Sequence, residues 1–369
     1  MFLSEIILQS AEAALQLQLT DGSFPPGCNG PYRDPETSAR NTAHWLITML
    51  KAYEISNESR FKDSAWMAVL YLNSPSVRPM NATFFCRTNP EKDFCNGLVG
   101  QAWIIEALTI ASMKLEDHKY IELAEKIFML HPFNDKAGLW RRVNVDGSYN
   151  CFDMAFNHQL WFAAAGSMLN DVSYNPIKAM IVRFLDCVLE SHLSIDTSGR
   201  IIHQIVKPVP TLSRPRKIYN LLRSSFRRHN KADYRESDWL TNKEVGYHAF
   251  NMYAFSMLKQ YIPEHPLWQS TKFMLTLQYL NKEEFISGLE NNLYGYTYNL
   301  SGFEVAFTIQ EFRSILSFSK SEQWWVDQQL QRCYDIDSKM LNRATEDKET
   351  LSARLYEATR LKDIEVSSF

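Results

Sequence analysis

Residues Cys151–Leu169, CFDMAFNHQLWFAAAGSML, place Asp153, Asn157, His158 and Gln159 directly ahead of an alanine-rich apolar run. The run reads as a buried helix. Polar groups at the mouth of a buried helix are costly unless they are hydrogen-bonded or face a wet cavity. The same design recurs upstream: Trp45, Trp103 and Trp161 follow one another at 58-residue intervals, each behind a polar opening, RNTAHW, NGLVGQAW and FNHQLW. Such self-similarity marks a repeat architecture.

Working outward, helical periodicity dominates the chain and falls into two alternating sets. Segments 2–19, 58–73, 117–130, 174–192, 264–277 and 320–340 are amphipathic and predict outer helices with one wet face. Segments 38–55, 97–113, 153–169, 242–261, 302–318 and 345–361 are apolar nearly all round and predict inner helices. Six hairpins in strict alternation predict an all-α fold, an (α/α)6 toroid, as a single domain over residues 1–369. An open solenoid would need polar capping repeats at both ends. The last inner segment is the most polar, with Arg354, Glu357 and Arg360.

The repeat also locates an insertion. After Trp161 the next key aromatic is Tyr253, far beyond the 58-residue interval, and the excess falls in a segment of unusual composition. Between Lys207 and Asp238, nine Lys and Arg stand against Asp233, Glu236 and Asp238, and RKIYNLLRSSFRRH sets apolar residues among arginines. Residues 203–238 therefore read as a basic amphipathic insertion before the fourth inner helix. Two roles suit it: docking of 208–236 on an anionic membrane face, or a lid over the ring.

Composition excludes several classes. With 45% hydrophobic and 13% aromatic residues, the 369-residue chain carries ample core, and a net charge of −3 gives no basic field for nucleic acid. The N-terminal MFLSEIILQSAEAALQ has acids and no basic leader, so it reads as an amphipathic helix. Gly97–Ala111 comes nearest to a membrane span but is interrupted by Gln101 and Glu106. Six cysteines without CxxC pairs predict no disulfide framework, a reducing cytoplasm and no metal site, since Cys28, Cys86, Cys95 and Cys151 match no metal spacing. Nucleotide-loop, dinucleotide, GxSxG and HExxH motifs are absent, and no cofactor is expected.

Inner helices of a toroid run the same way, so their N-termini and positive dipole ends converge on one rim, which suits an anionic group. The candidates at that rim are Arg40, Asn41 and His44 on the first inner helix, and Asp93, Asn96 and Gln101 on the second. The third carries Asp153, Asn157 and His158, and the fourth Glu244 and His248. Tyr32 and Trp140 are candidate stacking platforms for sugar rings. Asp93 and Asp153, on neighbouring helices, form a carboxylate pair that can divide acid and base roles. Helix capping is the structural alternative for both.

The runs DGSFPPGCNGPYRDPETSARNTAHW, CNGLVGQAWIIEAL, HPFNDKAGLWRRV and FDMAFNHQLWFAAAGSML resemble cytoplasmic proteins encoded with surface-glycan biosynthesis genes, within the six-hairpin glycosidase-like superfamily. More distantly the chain is similar to unsaturated glucuronyl and rhamnogalacturonyl hydrolases. That resemblance implies Asp153 as acid/base and Asp93 as its partner, although DFCNGL differs from the hydrolases' local motif. The glucosamine 2-epimerase family shares the toroid and implies rim histidines instead, His158 and His248 here. Lanthionine cyclases share it too, without a counterpart here to their zinc motif.

The leading expectation is a glycoside hydrolase-like enzyme acting on an acidic glycan or glycan precursor. Its setting is surface polysaccharide metabolism in the cytoplasm, with contact to the inner membrane face through the insertion. The alternatives are a sugar epimerase or isomerase and a non-catalytic glycan-binding protein. The oligomeric state is not legible.

Overall fold

The computed structural model describes residues 1–169, 176–205 and 231–367, with side chains from 238 onward in the last stretch. Inner and outer helices alternate as the periodicity predicts. The outer members are α1 (Leu3–Leu15), α3 (Ser59–Leu72), α5 (Lys119–Leu130) and α7 (Pro176–Cys187), the last continued by a π turn over Val188–His192. The inner members are α2 (Ala39–Ser56), α4 (Gly97–Leu115), α6 (Phe156–Ser167) and α8 (Lys231–Tyr261). Two further hairpins complete the ring. In one, Pro266–Gln269, α9 (Thr271–Tyr279) and α10 (Glu283–Gly288) precede the inner α11 (Ser301–Phe312). In the other, α12 (Glu322–Cys333) precedes the inner α13 (Lys348–Ala353), which tightens into a 3-10 helix over Arg354–Arg360.

Closure is direct. Each inner helix packs on the next, α2 on α4, α4 on α6, α6 on α8 and α8 on α11, and the Arg354–Arg360 turn contacts both α11 and α2. The chain ends seal the seam: Leu3 donates to the Ile364 carbonyl at 2.9 Å and Val366 to the Met1 carbonyl at 2.9 Å. The fold is the (α/α)6 toroid. Its most apolar described helix, α4, is long enough to cross a membrane, but most of it is buried within the ring.

Glutamines lock the loops to the helices. Gln101 accepts from the Phe84 amide at 2.8 Å and donates to the carbonyls of Phe84 and Cys95. One repeat later, Gln159 accepts from the Trp140 amide at 3.0 Å and donates to the carbonyls of Trp140 and Asp153. Each glutamine satisfies three backbone groups that would otherwise be buried unpaired. Between α5 and α6 lies a small antiparallel sheet of β1 (Phe133–Asn134), β2 (Leu139–Val143) and β3 (Tyr149–Phe152), in that order. It carries Trp140 and Arg142 toward the helix mouths.

Three sequence expectations change. The third inner helix starts at Phe156, so Asp153 lies in the approach to it and not on it. The fourth starts at Lys231, eleven residues before the expected 242, so much of the expected insertion's C-terminal part is helix. Residues 203–205 belong to the scaffold: Gln204 bridges Ala155, the Phe156 amide donates to the His203 carbonyl at 2.9 Å, and Ile205 donates to Met154 at 3.0 Å. Residues 206–230, and with them most of the expected membrane-docking or lid segment, lie outside the described residues.

Candidate active site

A cavity of about 220 Å³ opens where the inner helices begin. Its wall includes Tyr32, Asn96, Val99, Trp103, Asn157, His158, His203, Lys243, Tyr247, Phe250, Tyr298 and Arg354. The repeat explains part of this list. Trp161 is preceded three positions earlier by His158, and the equivalent Tyr253 by Phe250, so one helical face delivers both to the cavity.

His158 is held from behind. Its Nδ1 lies 2.8 Å from Oδ2 of Asp153, an oxygen that also accepts from the Leu98 amide at 3.1 Å. Burial by itself would raise the Asp153 pKa, but His158, the Leu98 amide and Arg142 outweigh it and bring it down to about 2. Asp153 is therefore an ionised acceptor that fixes the Nδ1–H tautomer and leaves Nε2 of His158 toward the cavity. Gly97 makes room for this pair. Its φ is +59°, and a Cβ there would stand 2.5 Å from Asp153 Oδ2 and 2.7 Å from His158 Nδ1. Only glycine meets both demands.

His203 faces the same cavity from the segment paired with Met154–Phe156. Its amide donates to Glu244 at 3.2 Å, and its ring lies tilted at 60° to Tyr247, 5.3 Å between centroids. Burial first, then the neighbouring Lys243 and His158 charges, lower its pKa to about 3, so the ring is neutral. Nδ1 of His203 is buried without a partner among the described residues.

The candidate residues from the sequence separate into three groups. Tyr32, Asn96, Asn157 and His158 line the cavity. Arg40, Asn41 and His44 are buried beneath it: Arg40 lies 4.1 Å over Trp103 and bonds Asn29 and Glu36, Asn41 donates to the Pro25 carbonyl, and His44 stacks on Tyr356 at 4.2 Å. The others serve the scaffold. Gln101 braces the loop, Glu244 holds His203 and pairs with Arg200 at 3.3 Å, and His248 is fully buried between the Thr276 carbonyl and the Ile201 amide.

Trp140 corrects an expectation, because it is wholly buried among Phe128, Phe162 and Phe184 and offers no face to a sugar. Asp93 also lies behind the wall. It accepts from the Gly97 amide at 2.8 Å, Arg87 at 3.1 Å and Arg142 at 2.6 Å. Against the effect of burial, these donors hold its pKa below the usual carboxylate range. Sequence reasoning missed His203, Lys243, Tyr247 and Arg354, although the polar turn at Arg354 had been noted as unusual.

Arg354 closes the floor. It donates to the Tyr298 carbonyl at 2.8 Å, Asn299 at 2.8 Å, Glu304 at 3.0 Å and Glu357 at 2.6 Å. Burial, then mutual repulsion, raises the pKa of Glu304, and Glu357 is raised as well, chiefly by burial.

The described residues form an (α/α)6 toroid with a polar, aromatic-walled cavity at its helix mouths. The chain is 42% identical over 368 residues to archaeal glycosylation protein Q of Haloferax volcanii, covering 99% of this chain and 98% of that one. It belongs to that protein's family. No family model matches the sequence. Among solved structures, cellobiose 2-epimerase from Spirochaeta thermophila superposes with a TM-score of 0.61 at 13% identity, over 94% of this chain and 92% of the other. An unsaturated glucuronyl hydrolase specific for heparin superposes with a TM-score of 0.59 at 11% identity, over 97% and 95%. Both share the fold.

Proposed function

We propose that this chain is a sugar epimerase or isomerase serving glycosylation, with His158 and His203 as its proton-transfer pair. One observation carries the reading: among the described residues two imidazoles, and no free carboxylate, face the cavity. The acid in the wall, Asp34, is bound by Lys92 at 2.6 Å and Asn89 at 2.6 Å. Hydrolysis, the leading expectation from sequence, needs a carboxyl group that delivers a proton to a leaving oxygen. Asp93 and Asp153 are ionised, saturated with donors and behind the wall, which speaks against that role.

Proton transfer next to a sugar carbonyl needs less. A neutral imidazole takes the proton from the carbon beside the carbonyl, giving an enediolate and an imidazolium. The second imidazole returns a proton to the opposite face for epimerisation, or to the neighbouring carbon for isomerisation. His203 is neutral and suits the base, while Asp153 stabilises His158 when it carries charge. Asn96 and Asn157 supply amide groups for hydroxyls. The glycosylation setting comes from the Haloferax volcanii relative, and sugar chemistry agrees with the names of the structural neighbours. About 220 Å³ is room for roughly one sugar unit, below the usual span of drug-sized pockets.

The test is exchange in D2O. The protein is incubated with reducing hexoses, hexuronates and hexose 6-phosphates, and the carbon-bound protons are followed by NMR. Deuterium is expected at the carbon beside the carbonyl, and His158→Asn and His203→Asn are each expected to slow it by about 10²-fold or more. Absence of carbon-bound deuterium in every sugar tested, or full exchange in both variants, overturns the proposal.

A further inference from the structure

The cations in the cavity wall are not equivalent. Arg87 is paired with Asp34 and Asp93, Lys92 with Asp34, and Arg354 with Glu304 and Glu357. Lys243 has no carboxylate within ion-pair distance among the described residues. Its sequence neighbour Glu244 is engaged by Arg200 and by the His203 amide.

Aromatic rings surround the ammonium instead. The Nζ atom lies 5.3 Å from the centroid of Tyr32, 5.4 Å from Trp239 and 5.6 Å from Tyr247. The cage is itself braced, with Trp239 donating to the Tyr294 hydroxyl at 3.0 Å and the hydroxyls of Tyr32 and Tyr247 meeting at 2.9 Å. A lysine whose role is only to cover apolar surface extends its ammonium into water. Lys243 is half-buried, lines the cavity beside His203, and has its pKa lowered by burial to about 8. Ring faces offset part of that desolvation but do not neutralise the charge. A charge held this way, with its hydrogen-bond donors uncommitted among the described residues, is matched by an anion arriving with the ligand.

Resting on the reading of the cavity as a sugar site, we propose that Lys243, held in the Tyr32–Trp239–Tyr247 cage, binds an anionic substituent of the sugar and selects acidic sugars over neutral ones. A carboxylate, as in a hexuronate, and a phosphate ester both meet that chemistry. The anion sits at the wall beside His203, so the same contact that selects the substrate also orients its reacting carbon.

Calorimetric titration of the full chain tests this with three ligand sets of matched stereochemistry: hexoses, hexuronates and hexose 6-phosphates. The wild type is expected to bind one anionic set at least about 10-fold more tightly than the neutral set, about 1.4 kcal/mol. Which anionic set prevails distinguishes carboxylate from phosphate. Lys243→Met is expected to bring the ratio close to one, and Lys243→Arg to retain a preference for the anion. Equal affinity for neutral and anionic sugars, an undiminished preference in Lys243→Met, or no anionic sugar bound by the folded wild type each overturns the proposal. His158→Asn separates the two readings. An intact preference for the acidic sugar in a protein without carbon-bound exchange supports the anion site, whatever becomes of the proton-transfer pair.

Discussion

At the scale of single residues, Asp153 ties the stability of the fold to the proposed proton transfer. Its carboxylate is stabilised in the fold, with a pKa near 2 against an ordinary 3.8. A depressed carboxylate contributes stability above its unfolded pKa and loses it as pH falls through the folded value. The contribution at neutral pH is on the order of 2 kcal/mol and disappears between about pH 4 and pH 2. Asp153→Asn is expected to lose it, as read from urea unfolding at pH 7. The same substitution removes the charge that fixes the His158 tautomer. Turnover should therefore fall by about 10²–10⁴-fold, the range expected when a histidine loses its orienting carboxylate. A variant with unchanged turnover would assign Asp153 to structure alone. The sequence singled out Asp153 and His158 because polar residues before an apolar run are visible in a string of letters. Their roles were not visible, because which of two adjacent polar groups faces the cavity depends on where the helix begins.

Among the elements, the last inner segment was the least certain in the sequence, since Arg354, Glu357 and Arg360 made it look half-solvated. The ring turns these charges inward. Arg360 bonds Glu106 of α4 at 2.6 Å, and Glu106 is 1% exposed. Replacing one member of a buried pair strands the other charge and costs about 3–5 kcal/mol, whereas replacing both is far cheaper. Arg360→Met is expected to destabilise the fold by that amount. Adding Glu106→Gln should restore most of it, measured as a double-mutant cycle in urea. A single variant with wild-type stability would show that the pair does not help hold the sixth inner element against α4. Glu106 had been legible only as an interruption in an apolar helix, because its partner lies 254 residues away. The glutamine locks were closer to the surface of the sequence: Gln101 and Gln159 sit at the repeat interval, and their common task explains why both survive inside apolar helices.

For the whole molecule, burial governs the titration of histidine. His131 and His248 are packed in the ring and lowered by burial to about 4, and His44 is pushed well below the ordinary value. A histidine kept neutral in the fold makes the unfolded chain bind more protons between the two pKa values. Stability is therefore full above about pH 6.5 and is lost progressively as pH falls from there toward 4. Each such histidine accounts for up to about 3 kcal/mol. Calorimetric scans should show the melting temperature dropping steadily over that interval, with His248→Gln showing a shallower slope. A midpoint constant from pH 7 to 4 would contradict this. The loss lies above the window in which Asp153 titrates, the two meeting near pH 4.

Hydrophobic periodicity and a 58-residue interval were enough to determine the toroid and the rim where its inner helices begin. Those signals are local and repeat along the chain. The sequence also placed Tyr32, Asn96, Asn157 and His158 at the rim, where the structure finds them in the cavity wall. Tertiary structure alone decided which ionisable groups are spent on one another. Asp93 is consumed by Arg87, Arg142 and the Gly97 amide, and His248 by backbone groups of distant segments. His203 reaches the cavity because residues 203–205 pair with 154–156, and Lys243 is left without a carboxylate in ion-pair distance among the described residues, Glu244 being engaged by Arg200. The physical reason is that electrostatic partnership depends on distance in space and on desolvation, and neither is recorded in the order of residues.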